Sequence, residues 1–383
     1  TMSLQIVVLA AGQGKRMYSN LPKVLHQIAG KPLLGHVLDT ARGLSPDKLV
    51  VVYGHGGEQV RAAFVGQDDL AWAHQAEQLG TGHAVRQAMP HVQGGVTLIL
   101  YGDVPLTRKA TLEKLLAATR HCTAIGLLTD YLPDPTGYGR IVRNGVHQVV
   151  RIVEQKDASE AERAINEINT GMMAVPTARL DAWLNELKND NAQGEYYLPD
   201  VLGILKKQGE RIWAVAADDF EETLGVNSRA QLAKAEHILR QRKNEELMAA
   251  GVSIIDPATT FVDADVEVGR DTVLYPMTYL ESGTVIGENC EIGPSVRIQN
   301  TKIGNDVTGQ FLYAHDAVVD DHVKLGQFVH LRPGTHICEG VKIDNFIEVK
   351  NSTIGKGSKL PHLSYIGDCD MGENVNMGCG TIT

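Results

Sequence analysis

Cysteine, long apolar runs and positive charge are all scarce in this chain of 383 residues, and each shortage excludes something. The five cysteines, Cys122, Cys290, Cys338, Cys369 and Cys379, are odd in number and nowhere spaced C-x-x-C. That argues against a disulfide framework and against a zinc knuckle. No apolar run approaches the ~20 residues a bilayer-spanning helix needs. Residues 1–11 lack the charged n-region and cleavage site of a secretory signal, so a cytoplasmic location is expected. A formal net charge of −10 disfavours nonspecific nucleic-acid binding. It leaves room for a local cationic pocket that takes an anionic substrate.

What is present is ordinary in bulk and specific in detail. Apolar content of 43% and charged content of 21% suit a globular protein, and the length predicts two domains. The organising stretch is Ile6-Val7-Val8-Leu9-Ala10-Ala11-Gly12-Gln13-Gly14-Lys15-Arg16-Met17, with Leu21-Pro22-Lys23 close behind. The apolar run reads as a buried parallel strand. Its glycine-rich end lets the backbone turn and aims N–H groups at an anion such as phosphate. Arg16 and Lys23 bring two cations to the same rim. This is neither a dinucleotide fingerprint nor a Walker A loop, because the third glycine and the G-K-[ST] are missing.

Downstream, Pro32 to Arg42, Gly57 to Phe64, Gly80 to Met89 and Thr111 to Arg120 read as helices. They alternate with strands at Leu49 to Tyr53, Trp72 to Gln75 and Val96 to Tyr101. The alternation predicts an α/β domain with a mainly parallel sheet, whose ligands sit outside the carboxyl ends of the strands. Asp103, between Gly102 and a stiff Val104-Pro105, ends such a strand and is placed to hold a hard cation such as Mg²⁺. Ser228 to Ala250 reads as a long, water-exposed spacer helix with Ser228 as N-cap and Gly251 as its stop.

From about residue 251 the texture changes. Val268, Leu274, Leu280, Ile286, Ile292 and Ile298 stand six residues apart, as do Leu325, Leu331, Ile337, Ile343 and Val349. Ile354, Leu360 and Ile366 resume the spacing after a slip of one. A hexapeptide period of this kind marks a parallel β-helix.

The strings L-A-A-G-x-G-x-R-M, L-P-K and Gly102-Asp103-Val104-Pro105-Leu106 resemble the nucleotide-sugar pyrophosphorylases. Among these, the resemblance is to the bacterial bifunctional enzymes that make UDP-N-acetylglucosamine for peptidoglycan and lipopolysaccharide. Gln75-Ala76-Glu77-Gln78-Leu79-Gly80-Thr81-Gly82, Gly137-Tyr138-Gly139-Arg140, Val153-Glu154-Gln155-Lys156, Glu167-Ile168-Asn169-Thr170-Gly171 and Gly225-Val226-Asn227 match in order. The resemblance implies a Rossmann-like uridylyltransferase domain over 3–227, a linker helix over 228–250 and a left-handed β-helix acetyltransferase domain over 251–383. It implies a Mg²⁺ ion held by Asp103 and Asn227, with Arg16 and Lys23 catalytic on the phosphates of UTP and N-acetylglucosamine 1-phosphate. Leu9, Ala10, Ala11, Gly12, Tyr101 and Gly102 fall at substrate-binding positions, Gln75, Gly80 and Thr81 at uracil-reading ones. Gly139, Glu154 and Asn169 fall at sugar-contacting ones.

In the last third, the resemblance assigns Arg332 and Lys350 to the phosphate of glucosamine 1-phosphate and Tyr365 and Asn376 to its sugar. His362 becomes the base that deprotonates the amine as it attacks acetyl-CoA. A homotrimer through the β-helix is expected on the same ground. Three positions depart from the family pattern: Pro199, Pro361 and Cys379. The family also continues beyond Thr383 with coils that carry much of the acetyl-CoA site. The expectation is an intact uridylyltransferase beside an acetyltransferase site with weak CoA binding. A single-function pyrophosphorylase with a structural β-helix is the alternative, and a regulatory subunit without turnover a further one.

Overall fold

The structure, a computed structural model, describes residues 3–54, 56–119 and 125–383, so Arg120 and Cys122 lie outside the described residues. Its contacts divide the chain into two compact units, Thr1–Ala235 and Glu236–Thr383.

The first unit is built on one sheet. Its main path runs Ile212–Ala216, Ile125–Tyr131, Glu167–Pro176, Val96–Tyr101, Leu4–Leu9, Lys48–Tyr53 and Leu70–His74. Every pairing on this path is parallel except the two made by Glu167–Pro176. The three central parallel strands are buried over almost their whole length, which is why they read as unbroken apolar runs. Val7 and Leu9 feed one core, and Ile6 and Val8 feed the other on the opposite face. The strand expected at Trp72 to Gln75 begins earlier, at Leu70, and closes at His74. Leu70 is paired to Leu49 and buried, but Asp68 and Asp69 in front of it hide the start of the apolar pattern.

Chain direction across this sheet decides where the site lies. From Leu4–Leu9 the chain moves to Lys48–Tyr53 and Leu70–His74 on one side, then returns to Val96–Tyr101 on the other. The reversal leaves a crevice at the carboxyl ends of Leu4–Leu9 and Val96–Tyr101, the place where open α/β sheets bind ligands. Gly12 and Asp103 lie in the loops that follow those two strands.

The helix Arg229–Ala249 begins as expected, with the Gln231 N–H donating to Ser228 Oγ at 3.2 Å. Gly251 stops it at φ +98°. Its second half is not the water-exposed spacer its polar composition suggests. Arg240, Lys243, Asn244 and Leu247 are buried against the segment Asp256–Val266. Their polar ends reach backbone carbonyls and Asp263, so composition alone misjudges them.

The second unit is a parallel β-helix with three strands to each coil, every strand pairing with its equivalent one coil away. Leu274, Leu280, Ile286, Ile292, Ile298, Leu325, Leu331, Ile337, Ile343, Val349, Ile354, Leu360 and Ile366 all point into a single core. Strict alternation keeps this column apolar while the flanking residues face water.

Candidate active sites

A cleft of about 260 Å³ opens at the crevice of the first unit. Leu9, Ala10, Ala11, Gly12, Lys23, Gln75, Gly80, Thr81, Tyr101 and Asp103 line it, all expected from the sequence. A larger groove of about 530 Å³ beside Arg86, Met89, Thr177 and Asp181 contains none of those residues. Volume alone does not pick the site.

The loop after Leu9 is tied to its neighbours by backbone bonds: Ala10 N–H to Val52 carbonyl at 2.8 Å and Gly102 N–H to Leu9 carbonyl at 2.9 Å. Gly14 turns at φ +64°, and a Cβ there would stand 2.6 Å from the Cβ of Lys23. Only glycine lets Lys23 lie against the loop. The Lys23 ammonium donates to Asp103 Oδ2 at 2.8 Å and to Asn227 Oδ1 at 2.9 Å. Asp103 and Asn227 are held together by the Val226 N–H, which donates to the Asp103 carbonyl at 2.8 Å. Two hard oxygens from distant parts of the chain therefore converge on one cation position. Arg16 sits apart, exposed on the short turn Lys15–Met17 and outside the residues lining the cleft.

Gln75 is only 2% exposed, and its amide nitrogen donates to the Gly80 carbonyl at 3.1 Å and contacts His83 Nδ1 at 3.0 Å. Gly80 at φ +102° packs where a Cβ would meet the Tyr196 carbonyl oxygen at 2.5 Å. Thr81 Oγ1 accepts from the Leu198 N–H at 2.9 Å, fixing the wall that carries Glu195 and Tyr197. Tyr101 donates to the Gly171 carbonyl at 3.2 Å; burial pushes its hydroxyl well up, and the Asp103 charge adds to that.

Gly139, Glu154 and Asn169 form a second group. The Asn169 N–H donates to the Gly139 carbonyl at 2.9 Å, and Glu154 Oε1 would lie 3.2 Å from a Cβ on Gly139. Burial, then the negative charges of Asp200 and Asp157, pushes the Glu154 carboxyl up. Pro199 stands at the start of the helix Asp200–Lys207, where proline's missing N–H costs nothing.

Gln78, Glu195 and Tyr197 also line the cleft, and of these only Gln78 falls in a string that the sequence marks. Gln78 carried a legible signal only in three dimensions, since its Nε2 is buried in the cleft wall without a hydrogen-bond partner.

In the second unit, Arg332, Lys350 and Tyr365 follow one another up one face of the β-helix. Arg332 pairs with Glu348 at 3.0 Å and Lys350 lies 3.8 Å from Asp368. The Tyr365 ring lies over Gly367, where a Cβ would come within 2.6 Å of it. His362 is exposed at the turn leading into that face, its backbone paired with Asn345. The β-ladder skips Pro361, which has no N–H to give. Asn376 stacks on Lys359, before that turn rather than after it.

Comparison with known proteins follows this division. A MobA-like NTP transferase domain matches residues 6–165. Bifunctional protein GlmU of Brevibacillus brevis is 49% identical over 99% of this chain and 83% of its own length. The GlmU proteins of Geobacillus sp. WCH70 and Chromobacterium violaceum are 51% and 49% identical over 98% and 100% of this chain, and 82% and 84% of theirs. The chain belongs to the family of bifunctional GlmU proteins. As a GlmU protein it is a nucleotidyltransferase and an acetyltransferase, with a left-handed β-helix as its second unit. A solved UDP-glucose pyrophosphorylase complexed with UDP-glucose shares the fold at TM-score 0.52 and 15% identity, over 63% of this chain and 100% of that one.

Proposed function

We propose that the cleft of the first unit transfers a uridylyl group from UTP to N-acetylglucosamine 1-phosphate. The observation that carries this reading is the convergence of Asp103 Oδ2 and Asn227 Oδ1 on the Lys23 ammonium, at 2.8 and 2.9 Å, beside the glycine loop. A carboxylate and an amide oxygen are the donors a hard divalent ion prefers, and they already share one cation, so Mg²⁺ fits them. Held by Asp103 and Asn227, that ion supplies neutralisation of the crowded phosphates. With Asp103 and Asn227 holding such an ion, Lys23, which now donates to both, would be free to turn its charge to the substrate phosphates.

The remaining work falls to the chain itself. The N–H groups of the loop at Ala11–Gly14 face the triphosphate, with Arg16 closing over it from the rim. A phosphate oxygen of the sugar phosphate attacks the α-phosphorus of UTP as the bond to pyrophosphate breaks. No protein nucleophile is needed, because the attacking oxygen is already ionised; positioning and charge neutralisation lower the barrier. Gln75, Gly80, Thr81 and the buried Gln78 amide read the uracil edge. Glu154, Asn169 and Gly139 meet the sugar hydroxyls with both acceptors and donors.

On the β-helix, Arg332 and Lys350 take the phosphate of glucosamine 1-phosphate, and Tyr365 and Asn376 its sugar. His362 accepts the amine proton as nitrogen attacks the thioester carbonyl of acetyl-CoA and CoA departs as its thiol. A homotrimer fits this unit. Phe311, Phe328, Phe346 and Leu363 stand exposed at successive coils, with Phe328 and Phe346 stacked at 5.2 Å. A ridge of apolar side chains held at φ +38° to +59° favours burial against further copies of the chain.

Pyrophosphate release with UTP and Mg²⁺ tests the first activity, offering glucosamine 1-phosphate, its N-acetylated form and glucose 1-phosphate in parallel. Selective release with the N-acetylated sugar is expected, and Asp103→Ala should abolish it. Release mainly with glucose 1-phosphate would overturn the substrate assignment.

A further inference from the structure

The β-helix carries a ligand set that neither predicted reaction uses. Asp320, His336 and Cys338 form a group whose oxygen, nitrogen and sulfur atoms all lie within 4.8 Å of one another. The ladder puts them there. His336 and Cys338 flank the inward Ile337, so both face outward from the same short strand. Asp320 lies one coil away: its N–H donates to the Ile337 carbonyl at 2.8 Å, just as the Cys338 N–H donates to Ile354 at 3.0 Å. Asp320 and Cys338 therefore stack in one column, with His336 diagonal to Asp320. His336 Nε2 already contacts Asp320 Oδ2 at 2.8 Å.

The column has space around it. The next positions are Gly304 on one side and Gly355 on the other, as the Gly304 N–H bond to Val319 and the Cys338 bond to Ile354 show. No side chain at either position competes for the ligand atoms. A groove lined by Gly304, Asp320, Asp321 and Glu339 opens beside Asp320. All three ligands are part-exposed, so an ion can reach them.

We propose that Asp320, His336 and Cys338 form a binding site for a borderline-soft divalent cation of the zinc class, joining two successive coils of the β-helix. Thiolate, imidazole and carboxylate are the donors such an ion takes, and water completes a fourth position. Mg²⁺, which prefers octahedral oxygen, is a poor competitor here. Binding releases the Cys338 thiol proton to solvent as the sulfur coordinates. Burial first, then the charges of Asp320, Asp370 and Glu373, pushes that thiol up. Because the ligands come from two coils, occupancy ties the coils together and stabilises the unit.

The test is a Co²⁺ titration of the whole chain under reducing conditions, with excess Mg²⁺ to hold all-oxygen sites. A thiolate-to-cobalt charge-transfer band is expected, saturating at one ion per chain and displaced by Zn²⁺. Cys338→Ser should remove the band and weaken Zn²⁺ binding by about tenfold or more, while Cys369→Ser keeps both. Zn²⁺ should raise the unfolding midpoint of the parent chain and raise that of Cys338→Ser by clearly less at the same concentration. His336→Gln provides a second variant should Cys338→Ser fail to fold, with uridylyl transfer and circular dichroism as the check. No thiolate band in the parent, a band that survives Cys338→Ser, or an unchanged Co²⁺ affinity in His336→Gln overturns the site.

Discussion

At the scale of single residues, Gly14 shows how one missing Cβ shapes the uridylyl site. Alanine there must adopt φ +64° and push against Lys23 Cβ 2.6 Å away. The left-handed backbone costs about 1–2 kcal/mol, and a displaced Lys23 leaves its place between Asp103 and Asn227. Gly14→Ala should lower kcat/KM for pyrophosphate release about a hundredfold, the scale of a misplaced group near the reacting atoms; a near-parental rate would refute the packing argument. Asp130 makes a separate case. Burial is the main reason its carboxyl is pushed up to about 6 from 3.8, even though Thr223 Oγ1 and the Tyr131 N–H donate to it. Between those two values the folded chain holds a proton that the unfolded chain has lost, so stability falls as pH rises through the window. Above it the penalty is constant. Asp130→Asn should therefore raise the melting midpoint at neutral pH, with the gain shrinking as pH falls through the window toward 3.8. Thermal scans across that range decide it. Lys23, Asp103 and Gly14 were legible in the sequence because motif chemistry is local. Gln78 as a lone buried donor was not, because its lack of a partner depends on the loop Gly54 packed against it.

At the scale of elements, strands and hexapeptide coils were readable because their apolar period is set by burial itself. The helix Arg229–Ala249 was misread for the opposite reason. Its buried face is polar, and what pairs with it comes from residues beyond its own end. Asn244 is the sharpest example, 2% exposed, with Nδ2 donating at 3.1 Å to both the Pro257 and Thr260 carbonyls. Asn244→Ala removes this donor from both carbonyls, leaving Pro257 with only the Thr260 N–H; a buried acceptor left unsatisfied costs about 1–3 kcal/mol. Urea unfolding of the full chain should show the second unit's midpoint drop by at least about 1 kcal/mol equivalent. An unchanged midpoint would mean that these carbonyls find water instead. The strand Leu70–His74 is a smaller lesson of the same kind: pairing to Leu49 outvoted the acidic pair in front of it.

At the scale of the whole molecule, the division at Ala235 makes a prediction about where the uridylyl site ends. All its proposed residues, from Leu9 to Asn227, lie in the first unit. Yet two of its supports come from just past Asn227: Arg229 Nε donates to the Met17 carbonyl at 3.1 Å, and Gln231 Oε1 accepts the Asn227 N–H at 2.8 Å. One pins the glycine loop and the other orients a proposed metal ligand. A fragment of residues 1–235 should release pyrophosphate at close to the parental rate. A fragment of residues 1–227 keeps every proposed contact residue but loses both supports, each about 1 kcal/mol, and should be slower by about tenfold or more with a raised Mg²⁺ requirement. Equal rates for the two fragments would show that the loop and Asn227 hold their places unaided. An inactive 1–235 fragment would show that the site needs something outside its own unit. The two units differ in this respect. The first unit holds every residue proposed for its site, whereas Asn376 and Tyr365, proposed for one sugar, lie on opposite sides of a turn in the second. The proposed homotrimer would complete that second site from neighbouring copies. Uridylyl transfer should therefore be indifferent to chain concentration, and acetyl transfer should fall on dilution.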